Sequence, residues 1–105
     1  MEPLSQGASL PGIQNYVAKM EAERGLDKQD LPSQCLKLGE EVGELYRAVR
    51  KLQGHPQDPS GRIADIGDEA ADALILLMSI VNRCGISLED AFRAKEARNE
   101  SRVWA

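Results

Sequence analysis

The chain has 105 residues, 17 acidic and 13 basic, for a net charge of -4. That length is one domain, small enough for association to be a natural supplement to its core, and the acidity argues against a general nucleic-acid footprint and for a small partner. The longest apolar run, Ala73 to Val81, is interrupted by Ser79 and too short to cross a bilayer, so no membrane role is expected.

The opening "MEPLSQGASLPG" has neither the basic start nor the apolar run of a signal peptide. Cys35 and Cys84 lie far apart, each in an apolar segment. A reducing cytoplasm is therefore expected, with both thiols packed as small hydrophobes. After Pro11, Ile13, Tyr16, Val17 and Met20 recur at helical spacing until Gly25 supplies a stop. Asp30 and Pro32 open a second helix, whose apolar stripe is read as Cys35, Leu38, Val42, Leu45, Val49 and Leu52, ending near Gly54. "GHPQDPSG" carries two glycines and two prolines and reads as an exposed loop or hinge. The third helix spans roughly Ile63 to Arg83 and stops at Gly85. Ser87, with Asp90 three residues on, caps a fourth that runs to about Arg102. Nothing reads as a strand. The expected class is all-α, with four helices and short connections.

The informative residues are acidic. "LKLGEEVGELYRAVRK" crowds Glu40, Glu41 and Glu44 beside an apolar stripe, although like charges one turn apart cost an isolated helix a few tenths of a kcal/mol. At about 100° per residue, Glu41 and Glu44 share one shoulder of that helix and Glu40 lies further round. On the third helix Asp65, Asp68, Glu69 and Asp72 form a stripe that Ile75, Leu76 and Ser79 continue, while the other faces are apolar. Taken alone, Asp65, Asp68 and Glu69 are a good helix N-terminus, and Glu40, Glu41 and Glu44 are a solvated face paired with Lys37 and Arg47. Asp72 is different. It is a poor helix former among alanines, a cost without local benefit. If the two helices pack antiparallel, Glu41 and Glu44 face Glu69 and Asp72, an all-oxygen set suited to Mg²⁺, with Mn²⁺ as substitute. His55, the only histidine, sits in the loop and reads as solvated.

"EEVGE", Glu40 to Glu44, followed by "EAAD", Glu69 to Asp72, resembles the EExxE and ExxD signature of the MazG-like all-α nucleoside triphosphate pyrophosphohydrolases, with their dimeric dUTPase and dCTP pyrophosphatase relatives. The similarity covers most of residues 1–105, read as a single domain. In "KEARNESR", Lys95, Asn99 and Arg102 are similar to a K, N, R arrangement of that superfamily, and their spacing places them on one helix face.

The resemblance implies a four-helix bundle completed by dimerisation, as a homodimer or a tetramer. It implies hydrolysis of a nucleoside triphosphate between the α and β phosphates, giving a nucleoside monophosphate and pyrophosphate, for cleansing or control of nucleotide pools. Glu41, Glu44, Glu69 and Asp72 would hold Mg²⁺, Glu40 would accept the proton of the attacking water, and Lys37, Lys95, Asn99 and Arg102 would contact triphosphate oxygens. Trp104 could cover a base or pack on a neighbouring subunit. Relatives often carry an aromatic residue within a turn of the Asp72 position; here "ALILLMSIV" follows, so Gln14 or Asn15 is considered as a reader of the base edge. Two alternatives stay open: a phosphoribosyl-ATP pyrophosphohydrolase, and a noncatalytic helical module that binds nucleotide or metal.

Overall fold

A computed structural model describes residues 1–53 and 62–102. It contains four helices: α1 (Leu10–Glu23), α2 (Leu31–Leu52), α3 (Ile63–Arg83) and α4 (Leu88–Glu100), with no strand among the described residues. The "GHPQDPSG" loop with His55, and Trp104, lie outside the described residues.

The helix ends follow from local chemistry. Ser9 Oγ accepts from the Gly12 amide (3.2 Å), Asp30 Oδ1 from Ser33 (2.8 Å) and Ser87 Oγ from Asp90 (3.2 Å), each satisfying an amide that a helix start leaves orphaned. After α1 and α3 the chain turns through Gly25 (φ 72°) and Gly85 (φ 66°), left-handed conformations that favour glycine. The following amides fold back, Leu26 to the Glu21 carbonyl (2.8 Å) and Ile86 to that of Val81 (3.0 Å), closing both helices.

The chain divides into two compact units. The first joins Met1–Lys28 to Val81–Ala105, so it holds α1, the last turn of α3 and α4. Its parts are tied by polar contacts. Gln14 Nε2 donates to Asn82 Oδ1 (2.9 Å) and to the Ile86 carbonyl (2.7 Å), while its Oε1 accepts from the Leu88 amide (2.9 Å). Arg83 pairs with Glu21 at 3.0 Å and donates to the Leu26 carbonyl at 2.9 Å. Gln14 is thus committed to holding the α3–α4 turn, which removes it as a reader of a base edge; Asn15 beside it is exposed.

The second unit, Gln29–Ile80, consists of α2 and the body of α3. Gln34 Nε2 donates to Ser79 Oγ (2.9 Å) with both side chains buried, and Ala48 and Met78 are buried as well. Burying a methionine fully is worth about 1.5–3 kcal/mol. This differs from the sequence reading. The inward line of α2 runs through Gln34, Leu38, Glu41, Leu45 and Ala48, each buried or half-buried, whereas Cys35, Val49 and Leu52 are exposed. Rotating the stripe by about one residue accommodates the Gln34–Ser79 hydrogen bond and leaves Cys35 outside. Cys84 is exposed too, so neither thiol packs as expected. On α3, Leu74, Ile75 and Leu77 each keep 38–41% of their exposure. Among the described residues, no single helix is long and apolar enough to cross a membrane.

Candidate metal centre

The site is built within the second unit, where α2 and α3 run antiparallel. Seven residues on from Gln34 is Glu41, and seven back from Ser79 is Asp72, so the register that pairs the first two brings the second two together. Seven residues are close to two helical turns, which keeps both members of each pair on the seam. Glu41, Glu69 and Asp72 each offer a carboxylate oxygen, and these oxygens lie within 4.8 Å of one another. None of the three forms an ion pair with a basic group among the described residues.

The electrostatics reflect that crowding. The Glu69 carboxyl titrates above its ordinary value, first because of burial and then because of a hydrogen bond with Glu41, with the charges of Glu41, Glu44 and Asp72 adding to the shift. With three carboxyl groups crowded together and no basic partner among the described residues, the cluster is short of positive charge. Three oxygen donors from two rigid helices, without nitrogen or sulfur, match a hard divalent cation. The donor set fits such an ion.

The other expected site residues fall in different places. Glu44 is exposed and lines, with Glu69, a recess alongside the triad rather than joining it. Glu40 is exposed on α2, turned from Glu41 as helix geometry requires. Lys37 is exposed one turn before Glu41; neither it nor Arg47 makes an ion pair among the described residues, so the salt bridges of a plain solvated face are not formed. Asp65 instead pairs with Arg62 at 2.9 Å, which holds its carboxyl below the usual range. Lys95 and Asn99 belong to α4 of the other unit, and Arg102 follows the end of that helix. Asn99 Oδ1 is shielded from water and accepts no hydrogen bond among the described residues. The recess bounded by Arg47 and Lys51 was not foreseen from the sequence; the signal was their spacing of three and seven residues beyond Glu44.

Comparison with known proteins places the chain in a family. A family model described as MazG nucleotide pyrophosphohydrolase domain matches residues 29–103. A dATP/dGTP diphosphohydrolase of Cyanophage S-2L is 38% identical over 69 residues, covering 66% of this chain and 53% of that protein. The chain spans about half the length of the curated relative it matches.

Proposed function

Because the chain belongs to the MazG nucleotide pyrophosphohydrolase family, we propose that it hydrolyses a nucleoside triphosphate between the α and β phosphates, releasing a nucleoside monophosphate and pyrophosphate. The observation that carries this reading is the carboxylate triad of Glu41, Glu69 and Asp72, whose oxygens converge within 4.8 Å with no basic partner among the described residues. Mg²⁺, with Mn²⁺ as substitute, is the ion proposed for it, and Glu44, which stands alongside the triad, is proposed as a fourth ligand. When bound, such an ion polarises a phosphoryl oxygen and lowers the pKa of water. The chain's own residues do the rest. Two helices fixed in register by Gln34 and Ser79 hold the carboxylates in place before substrate arrives, so little reorganisation is needed at the moment of reaction.

Glu40, exposed beside the triad on α2, is proposed to accept the proton of the attacking water. Lys37, Lys95, Asn99 and Arg102 are proposed to bind triphosphate oxygens. The name of the cyanophage relative, a dATP/dGTP diphosphohydrolase, makes dATP and dGTP the first substrates to try. The physiological role proposed is cleansing or control of nucleotide pools in the cytoplasm, by residues 1–105 acting as one domain.

Association is proposed on the same footing. Leu36, Tyr46 and Ile63 are each more than 70% exposed, and Phe92 is 65% exposed, apolar surface that a homodimer or a tetramer would cover. A monomer at micromolar concentration by light scattering would argue against it.

Pyrophosphate release from a panel of deoxy-, ribo-, oxidised and deaminated nucleoside triphosphates, with Mg²⁺ and with chelator, tests the reaction. Metal-dependent release from at least one substrate is expected. Absence of release from every member, in a folded protein, overturns the proposal.

A further inference from the structure

We infer that Arg47 and Lys51 hold the pyrophosphate portion of the substrate, in a recess of about 280 Å³ next to the carboxylate triad. The recess lies wholly within the α2–α3 unit and is lined by Glu44, Arg47, Lys51, Asp65, Asp68 and Glu69, with Ala48 at its floor. Glu69 belongs both to this lining and to the triad, so the two are contiguous.

Four carboxylates and two cations share one small space, and the expectation for such a space is that they neutralise one another. They do not. Asp65 takes its partner from outside the lining, Arg62 at 2.9 Å. Arg47 makes no ion pair among the described residues, although Glu44 is three residues away on the same helix. Lys51 acts on Asp65 only through space. Two positive groups thus stand beside a cation site without being consumed by it.

Along the α2 axis, Arg47 lies about 4.5 Å and Lys51 about 10 Å beyond Glu44, at 1.5 Å per residue. A polyphosphate reaching away from the triad would meet the guanidinium first and the ammonium second. A guanidinium presents a planar fork to phosphate oxygens, and an ammonium a point charge. The surrounding carboxylates make the recess repel a free anion, so phosphate is held there only together with the divalent ion that neutralises the triad. The inference rests on the reading of the triad as a metal centre for nucleotide hydrolysis.

The test uses the full chain and pyrophosphate as probe. Its binding is measured by titration calorimetry with and without Mg²⁺, for the wild type and for Arg47→Gln, Lys51→Gln and the double variant, and nucleotide hydrolysis is assayed in parallel. Wild-type binding of pyrophosphate should require Mg²⁺. Each single variant should weaken it roughly tenfold or more, as expected for loss of one charge-assisted hydrogen bond. Arg47→Lys should restore part of that loss, and binding of Mg²⁺ alone should be retained or strengthened in the glutamine variants. An active wild type whose double variant binds Mg²⁺-pyrophosphate normally overturns this inference and leaves the hydrolase reading standing. A wild type that hydrolyses no nucleotide overturns both.

Discussion

Gln34 on α2 and Ser79 on α3 are joined by a buried hydrogen bond of 2.9 Å, and two turns along the same seam Glu41 and Asp72 stand together. One polar contact in the interior thus shares its register with the chemistry at the surface. Gln34 has a second feature: its Oε1 is buried and accepts no hydrogen bond among the described residues.

Ser79→Ala strands the buried Gln34 amide and should cost about 1–3 kcal/mol. Gln34→Met combined with Ser79→Ala removes both polar groups at nearly constant volume and should recover most of that loss. A double-mutant cycle in urea measures the coupling; additive losses would show that the pair contributes nothing of its own.

Asp72→Asn keeps volume and removes a carboxylate charge from the triad. Turnover should fall by more than the roughly 10–100-fold that loss of a metal site's outer partner costs, with the far-ultraviolet circular dichroism unchanged. Full activity in this variant would remove Asp72 from the metal set.

The metal itself should stabilise the fold, because it relieves the repulsion among Glu41, Glu69 and Asp72. At a hundredfold excess over its dissociation constant a ligand adds about 2.7 kcal/mol. Thermal unfolding with Mg²⁺ and with chelator should therefore differ by several degrees in the wild type and by much less in Asp72→Asn. Equal shifts in both would place the ion elsewhere.

The Glu21–Arg83 pair, at 3.0 Å and almost dry, anchors the end of α3 to α1 within the first unit. Truncating one partner breaks an ion pair in a largely buried setting, and Arg83→Met should cost about 3 kcal/mol in a chemical denaturation series. The effect should appear in stability and leave Mg²⁺ binding at the triad intact.

Asp30 caps α2 and is held below its ordinary pKa chiefly by the Ser33 hydrogen bond. A depressed carboxylate contributes stability that is present above the unfolded value and is lost as pH falls through the lower folded value. Asp30→Asn keeps a capping group but does not titrate. The variant should be less stable than the wild type at neutral pH, and the gap should close as pH falls below that of an ordinary aspartate. A gap constant from pH 7 to pH 2 would contradict the linkage.

Helix positions were legible because their punctuation is local: Asp30, Ser87, Gly25 and Gly85 act within a few residues of themselves. The acidic motifs were legible for a related reason, since Glu69 and Asp72 lie on one helix and Glu41 on the one before it. What could not be read was the rotation of α2. An apolar-stripe reading passes over Gln34, whose burial depends on a serine 45 residues away. The fate of Gln14 likewise rests on Asn82, 68 residues on, and an amide considered for recognition is used instead to fasten a turn. For the glutamates taken alone Arg47 read as a partner, because sequence spacing reports which groups are near, not whether they pair.

The order in which the chain contributes to its two units bears on how it is made. The α2–α3 unit is one continuous stretch, Gln29–Ile80, whereas the other is assembled from both ends of the chain. During synthesis from the N-terminus the residues of the helical hairpin leave the ribosome before Val81 and its successors. Its formation draws Lys28 and Val81 from opposite ends of a long loop into neighbourhood, so the entropy of closing that loop has largely been met when α4 emerges. The α2–α3 unit is then in place when α4 emerges, and α1, made first, gains its contacts with α4 only at that point.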